Sequence, residues 1–231
     1  MHEECLICKA PLEYLKEDVL MECAICHKQE LSKTRCVNNH YVCSECHTSG
    51  MDAIIAYCLH TDSKNPVEIL EAMMSMPFCH MHGPEHHVMV GAALLAAYKN
   101  AGENIDLTKA LLEMYSRGKS VPGGACGFWG ACGAGLSAGM YMAIVTESTP
   151  LAVQAWGLSN RMTSRALGAI GAVGGPRCCK RDSYLAIDEA VNFTAEALDV
   201  HLDLNTIQCT RSAQNNQCIR HRCPFYPGKT V

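Results

Sequence analysis

Apolar residues from position 50 onward recur at the spacing of one helix face, and residues that start or stop helices separate the apolar segments. Asn65-Pro66 precedes VEILEAMMSM, and Gly83-Pro84 precedes HHVMVGAALLAAYKNAG. Asp106 precedes LTKALLEMYSRG, Thr149-Pro150 precedes LAVQAWGLSNRMTSRALGAIGAVGG, and Asp182 precedes SYLAIDEAVNFTAEAL. Alternation typical of strands is nearly absent, so the pattern predicts an all-α domain of about five to seven helices.

The segment GGACGFWGACGAGLSAGMYMAIVTE is apolar but rich in glycine, with glycines at 127, 130, 133, 135 and 139. Because glycine lowers helix propensity, a helix here requires close backbone approach to other helices or to a bound group. We interpret the segment as a loop that leads into a buried central helix.

The first fifty residues follow a different pattern, in which metal-binding residue types occur in closely spaced pairs. The pairs, in chain order, are Cys5/Cys8, Cys23/Cys26, Cys36/His40 and Cys43/Cys46. A two-residue spacer allows both thiolates to reach one metal ion about 2.3 Å away, and the pairs together suffice for two closed tetrahedral sites. We therefore predict a finger over residues 1–50 with two structural zinc ions, which supply its folding energy, and a helical Cys/His-rich domain over 51–231.

The stretch CAICHKQELSKTRCVNNHYVCSEC resembles the first half of a RING-type cross-brace finger. The resemblance implies one zinc site formed by Cys23, Cys26, Cys43 and Cys46. It leaves a second site formed by Cys5, Cys8, Cys36 and His40. Because the fourth pair lies upstream of this stretch rather than downstream, we carry over the geometry of RING fingers and not their ubiquitin-ligase activity.

Composition and charge narrow the classes of function. The chain of 231 residues has 16 cysteines, 11 histidines and a net charge of -4, and it lacks an apolar stretch suited to a membrane span or a secretory signal. The charge argues against nucleic-acid binding as the main function. Disulfides explain the cysteine content poorly without a signal sequence, which leaves metal binding and thiol chemistry. We expect a soluble cytoplasmic protein.

Most cysteines outside the finger lie at predicted loops and helix starts, where a helix N-terminus favours a thiolate. Cys58, in MDAIIAYCLH, lies within an apolar pattern and is interpreted as a core residue. All-thiolate ligation from several helix ends suits an iron-sulfur cluster better than zinc or calcium. The candidate cluster ligands are Cys126, Cys132, Cys178, Cys179, Cys209, Cys218 and Cys223. Metal-free redox thiols and a further zinc site are the alternatives.

Helical periodicity is lost in residues 205–231, which carry the last cysteines of the chain. Cys223-Pro224 and the following Phe225-Tyr226-Pro227 are atypical of disorder. We predict that this segment forms a lid over the cysteine cluster.

A second group of chemically active residues lies at the loop-to-helix junction CHMHGPEHH. In the first turn of a helix the dipole favours neutral imidazole, which suits a metal ligand or a general base. Cys79 with His82 or His86 is the candidate catalytic set, and His82 and His86, four residues apart, are the favoured pair. The basic residues beside Cys178-Cys179, which include Lys180, are interpreted either as anion-binding or as solvated.

Two families resemble this chain. From Pro77 to about Cys209 it resembles the redox-active family named after its C-GCAxxG-C-C pattern, through the segment Ala131-Cys132-Gly133-Ala134 and flanking cysteines. The whole chain is similar to an uncharacterised family of cysteine-rich domains from anaerobic bacteria and archaea, recognised by CHMHGPEHH, GGACGFWGACGAG, GGPRCC and RCPFYP. That similarity implies an anaerobic setting in which exposed clusters survive.

Together these features predict an iron-sulfur-dependent enzyme of redox or sulfur-transfer chemistry in anaerobic metabolism, acting on a small-molecule or sulfur-containing substrate. One alternative is a zinc-dependent hydrolase or lyase built on Cys79, His82 and His86. The other is a non-catalytic adaptor or metal sensor. The finger is a candidate docking site for a protein partner, and the small-residue helices are compatible with a homo-oligomer.

Overall fold

A computed structural model describes residues 5, 7–8, 10–47 and 52–228, apart from the side chains of Glu45 and His47. A short β-hairpin occupies the N-terminal part, and the rest of the described chain is helical. The predicted fold class, a mainly α protein with an N-terminal cysteine-rich finger, is confirmed. Within the described residues, no helix combines the length and apolar character needed to cross a membrane.

The finger is built on two antiparallel strands, β1 (Leu12–Glu22) and β2 (Gln29–Cys36), followed by the one-turn helix α1 (Ser44–His47). Leu12 pairs with Cys36 and Glu22 pairs with Gln29, with an irregularity in the register between Tyr14 and Val19. The sequence interpretation did not include this hairpin. Its strands carry many exposed charged residues, so their alternation of apolar and polar positions is weak.

The helical domain follows the predicted segments, with its boundaries set by local capping. Its helices are α2 (Asp52–His60), α3 (Pro66–Met74), α4 (His86–Asn100), α5 (Leu107–Lys119), α6 (Ala125–Phe128), α7 (Gly133–Val145), α8 (Gln154–Val173) and α9 (Cys179–Leu198).

Two of the predicted helix caps are confirmed and a third is wrong. The side chain of Asn65 accepts hydrogen bonds from the first-turn amides of α3, and Asp106 accepts one from the amide of Lys109 in α5. Asp182 does not cap α9, because that helix begins at Cys179 with Cys178 as its N-cap. The carboxylate of Asp182 is instead hydrogen-bonded to the Nε of Arg181 at 3.0 Å.

The glycine-rich helix α7 lies at the centre of the domain and packs against α4, α5, α8 and α9. The predicted buried central helix is therefore present. Close approach occurs at Gly139, where an added Cβ would overlap the hydroxyl of Thr163 and lie 3.2 Å from the carbonyl oxygen of Ser159. A hydrogen bond also joins α7 to α4, because the hydroxyl oxygen of Ser137 accepts from the amide of Gly91 at 2.9 Å.

Replacing Gly139 by Ala is expected to destabilise the protein by about 1–3 kcal/mol, because the new methyl group has to push α7 and α8 apart. The matched control is Gly157→Ala in α8, where an added Cβ meets open space and helix propensity favours alanine. Thermal unfolding of both variants checks the prediction. Equal transition temperatures would contradict the close approach of the two helices.

The C-terminal segment after α9 lies against the helices. It contains single 3-10 turns at Ser212–Gln214 and Arg220–Arg222. The amide of Cys209 donates to the carbonyl of Phe225 at 2.8 Å, and the Phe225 ring meets the Tyr184 ring edge-on at 5.3 Å. The segment is thereby folded back beside the N-terminal half of α9.

Candidate metal centres

Four residues of the finger form a first group that is close enough to share one metal ion. Its ligand atoms all lie within 4.8 Å of one another and belong to Cys5, Cys8, Cys36 and His40. The amide of Ile7 donates to the Cys5 sulfur at 3.4 Å, and the amide of His40 donates to the Cys36 sulfur at 3.2 Å. A hydrogen bond from the backbone of Ala10 lowers the pKa of Cys8 to about 6, which favours the thiolate that binds metal.

A second group lies at the other end of the hairpin, beside the turn that joins β1 to β2. Its ligand atoms also lie within 4.8 Å of one another and belong to Cys23, Cys26, Cys43 and Cys46. The amide of Cys43 donates to the Cys23 sulfur at 3.3 Å, and the amide of Cys46 donates to the Cys43 sulfur at 3.4 Å. Amide hydrogen bonds of this kind orient and stabilise thiolate ligands.

The pairs alternate between the two groups along the chain, which is the connectivity of a cross-brace. The structure thus brings the eight predicted ligands together in the two sets expected from the RING resemblance. Both sets have the donor atoms of a closed tetrahedral zinc site, which leaves no position for a substrate. We therefore interpret both as structural, with the identity of the metal left as a prediction.

The predicted cluster ligands do not converge on one point. Cys178, at the start of α9, faces the C-terminal segment, whereas the neighbouring Cys179 faces the glycine-rich loop. We name the two resulting sets by what they face. The lid set is Cys178, Cys209, Cys218 and Cys223; the glycine-loop set is Cys126, Cys132 and Cys179.

The lid set lines a small cavity of about 20 Å³. Amides donate to two of its sulfurs, from Arg211 to Cys209 and from Arg220 to Cys218, both at 3.4 Å. The side-chain amide of Asn215 donates to the sulfur of Cys178, also at 3.4 Å. The two backbone bonds come from the residue two positions after the cysteine, the same relation as Ile7 to Cys5 in the finger.

Positive charge surrounds the lid set and also holds the C-terminal segment in place. Lys180, Arg181 and Arg211 line the same cavity. The Arg211 guanidinium forms an ion pair with Glu71 of α3 and donates to the Ser75 hydroxyl at 3.0 Å. Glu71 also accepts a hydrogen bond from the Tyr184 hydroxyl. A group of thiolates at this position would thus be partly neutralised by neighbouring cations.

The glycine-loop set lies beside Asp182 and a larger cavity. Burial, and then the nearby carboxylate of Asp182, raises the pKa of Cys132 to about 12. Burial also raises the pKa of Cys126 and Cys179. These thiols are therefore protonated near neutral pH unless a cation binds them.

The larger cavity has a volume of about 330 Å³, within the range of small-molecule sites. The finger contributes one wall, with Tyr14 and Lys33, and the helical domain contributes the other. Arg177 lies over the Tyr14 ring, 5.4 Å from its centroid. Cys126 and Cys179 are among the residues of the helical wall. The cavity therefore offers aromatic, cationic and thiol groups to a ligand.

The histidines of the junction point to two different places. The Nε2 of His82 is 3.3 Å from the side-chain oxygen of Asn215. The Nδ1 of His82 accepts from the amide of Cys179 at 3.5 Å. Burial lowers the pKa of His82 to about 4. His86 instead lies beside Cys79, with 3.9 Å between the Nε2 and the sulfur. The structure does not bring His82, His86 and Cys79 together as one ligand set.

A buried lysine occupies the position between Cys79 and His86. The Lys180 Nζ lies 3.0 Å from the Cys79 sulfur, 2.9 Å from the His86 Nε2 and 2.7 Å from the His80 carbonyl oxygen. An ammonium group has three N-H donors, and this site supplies three acceptors. Glu85, which is fully buried, accepts from the amide of His80 at 2.8 Å, so the His80 backbone contacts both buried charged groups.

Cys79, Glu85 and His86 are also close enough to share a metal ion. The Lys180 ammonium, however, donates to two of these three potential ligands and so takes the place that a cation would occupy. The interpretation of Lys180 as solvated is wrong, since only 2% of its surface is exposed. We name Lys180, Cys79, His86 and Glu85 the Lys180 network.

The model of a family described as a family of unknown function, DUF5714, matches residues 54–226. The chain belongs to the DUF5714 family. No curated protein and no solved structure matches the chain. The similarity to an uncharacterised family is thus confirmed, whereas the anaerobic setting and the similarity to the C-GCAxxG-C-C family stay predictions.

The DUF5714 match includes the lid set, the glycine-loop set and the Lys180 network, and it leaves out the finger. Cys58, within the DUF5714 region, is fully buried, and its thiol lies 3.8 Å from the sulfur of Met73. It is thus a core cysteine remote from both sets and serves as a control position. On the finger, Leu20 and Leu31 are cross-strand partners with 61% and 67% of their surfaces exposed. The prediction that the finger binds a protein partner stays a prediction.

Proposed function

We propose that this DUF5714 protein is an iron-sulfur-dependent enzyme of redox or sulfur-transfer chemistry, in which the lid set holds the cluster. The observation that carries the proposal is the convergence of four cysteines, from the start of α9 and from the C-terminal segment, on one cavity. Hydrogen bonds to three of the sulfurs and a surrounding group of cations are features of thiolate-ligated metal centres.

The spacing of the sulfurs favours a cluster over a single zinc ion. Zinc-sulfur bonds of about 2.3 Å hold the sulfurs of one tetrahedral site within about 4 Å of one another. Both groups in the finger are gathered within 4.8 Å, whereas no three sulfurs of the lid set are gathered in this way in the described part of the chain. A wider ligand set is what a multi-iron cluster requires.

The cavity volume of about 20 Å³ has a consequence for assembly. This space holds about one water molecule, so binding of a cluster requires the C-terminal segment to move. We infer that the segment folds over the cluster as it is inserted, with Arg211 and Glu71 fixing the closed position. The Arg211–Glu71 ion pair would thereby influence cluster binding by fixing the position of Cys209.

In the proposed reaction, a substrate binds in the larger cavity, between the finger and the helical domain. A bound iron-sulfur cluster supplies single electrons at low potential. The chain itself supplies thiols at the cavity wall from Cys126 and Cys179, and a cationic and aromatic surface from Arg177 and Tyr14. Cys79 and His86, held by Lys180, are the candidate thiol and proton-transfer groups.

The test is metal analysis of the full chain purified without oxygen. We expect about four iron and four acid-labile sulfide per chain, a broad absorption near 400 nm, and two zinc ions in the finger. Cys209→Ala is expected to lose most of the iron and to keep the zinc. Cys58→Ala removes a thiol from the core and is expected to keep both metals.

Colourless wild-type protein with three zinc ions and no iron would overturn the proposal, and so would full iron content in Cys209→Ala. The two reaction types are separated by a further measurement on the same sample. Sulfane sulfur that cyanide releases from the wild type, and not from Cys79→Ala, indicates sulfur transfer. A reversible one-electron spectroscopic change without such sulfur indicates redox chemistry.

A further inference from the structure

The Lys180 network contains an amine and a thiol in direct contact, and neither is a cluster ligand in the iron-sulfur proposal. The two residues are 101 positions apart in the chain, and the distance from Nζ to sulfur is 3.0 Å. Lys180 is 2% exposed, and its side chain is held by the His80 carbonyl and the His86 ring as well. The pair is therefore fixed in reacting distance rather than brought together by chance motion.

The surroundings fix the direction of the hydrogen bonds in the Lys180 network. The Nδ1 of His86 lies 3.0 Å from the carbonyl oxygen of Gly83, to which it donates. Its Nε2 is consequently the nitrogen that accepts from Lys180. His86 thus holds the Lys180 nitrogen beside the Cys79 sulfur.

We propose that Cys79 and Lys180 are a modification site, at which exposure to dioxygen joins the sulfur and the nitrogen through one oxygen atom as a covalent S-O-N crosslink. The crosslink forms between side chains that already touch, so it requires no change of fold. It ties the loop before α4 to the first turn of α9, next to Cys178 and Cys179.

The reaction balances with dioxygen as the only added reagent. The S-H bond of Cys79 and two N-H bonds of the Lys180 ammonium break, and one S-O and one N-O bond form. One oxygen atom of dioxygen enters the bridge, and the other leaves as water with two of the released hydrogens. The third leaves as a proton to solvent. Sulfur and nitrogen each lose two electrons, which together reduce dioxygen.

The crosslink is a modification that forms on exposure to oxygen and that a thiol reductant can reverse. Reduction of the S-O bond by two equivalents of a dithiol, and of the N-O bond with it, restores the Cys79 thiol and the Lys180 amine with release of water. Direct oxidation of Cys79 beyond the sulfenic level would instead be irreversible. The contact with Lys180 therefore protects the thiol as well as sensing the oxidant.

The experiment compares full-length protein kept without oxygen with the same protein exposed to air. After alkylation and proteolysis, tandem mass spectrometry is used to search for a peptide containing Cys79 joined to a peptide containing Lys180. The expected mass is the sum of the two peptides plus about 14 Da, for one oxygen gained and two hydrogens lost. The joined species should be absent from the oxygen-free sample and should disappear after treatment with dithiothreitol.

Lys180→Arg and Cys79→Ala are expected to abolish the crosslink, and Cys58→Ala is expected to keep it. The measurement on the wild type decides the matter even if the variants fold poorly. Air-exposed wild type in which Cys79 stays a thiol, enters a disulfide or becomes a sulfinic acid while Lys180 stays a free amine overturns the proposal. Iron content does not enter this readout, so its failure is distinguishable from that of the iron-sulfur cluster.

Discussion

Replacing Cys43 by Ser is expected to release one of the two metal ions of the finger and to unfold residues 10–47, while the helical domain stays folded. Cys43 is fully buried in a small cluster with Met21, Cys23 and Tyr41, which is the apolar core available to this part of the chain. So small a core cannot stabilise a fold by itself. Structural zinc sites contribute about 10–16 kcal/mol of binding free energy near neutral pH, which becomes folding free energy.

Zinc content per chain and amide hydrogen exchange measure the two parts of this prediction. Exchange in β1 and β2 should become fast, and exchange in α4 and α7 should stay slow. The matched control is Cys58→Ser, which changes a buried cysteine that is not a predicted ligand and should leave the zinc content unchanged. Two retained zinc ions and a protected hairpin in Cys43→Ser would contradict the assignment of the ligand.

The finger shows how far ligand spacing alone can predict a site. Pairs such as Cys23 and Cys26 lie on one turn, so their joint ligation follows from local geometry. The hairpin between Cys8 and Cys36 was missed, because seven of the eleven residues in β1 are exposed and the strand lacks an apolar face of its own. In a finger stabilised by metal, as predicted here, metal binding substitutes for the hydrophobic pattern that would otherwise reveal the strands.

The division of the other cysteines into two sets could not be predicted, because it depends on contacts between distant parts of the chain. Cys178 and Cys179 are adjacent in sequence, yet the start of α9 turns one toward the lid and the other toward the glycine-rich loop. Cys178 is the N-cap of α9 with an extended backbone and Cys179 is the first helical residue, so the conformation of the chain changes between them. Which residues surround each cysteine could be known only from the path of the C-terminal segment in the structure.

Lys180 was missed for a related reason. A lysine close to other basic residues is most often solvated. The sequence around Lys180 does not indicate that three hydrogen-bond acceptors surround its side chain in the fold. The acceptors come from the junction before α4, about 100 residues away in the chain. The one sequence signal is an acidic residue, Glu85, beside histidines at a helix start.

Removing either charge of the Lys180 network is expected to lower the stability of the folded protein substantially. Lys180→Met leaves the Glu85 carboxylate, fully buried, without the ammonium that also contacts the His80 backbone, and Glu85→Gln leaves the ammonium without the carboxylate. Leaving a buried charge without a compensating charge costs about 3–5 kcal/mol of folding free energy. The methionine is similar in length to the lysine stem, so lost packing adds little to this figure.

The double variant Lys180→Met with Glu85→Gln separates charge balance from other causes. It is expected to be less destabilised than the sum of the single variants, because neither charge remains buried alone. Urea unfolding followed by helix content measures all three, with Lys109→Met on the exposed face of α5 as a control that should change stability by less than about 0.5 kcal/mol. Strict additivity of the two single changes would show that Lys180 and Glu85 do not compensate each other. In that case the histidine ring and the carbonyl oxygen, rather than the carboxylate, would account for the burial of the lysine.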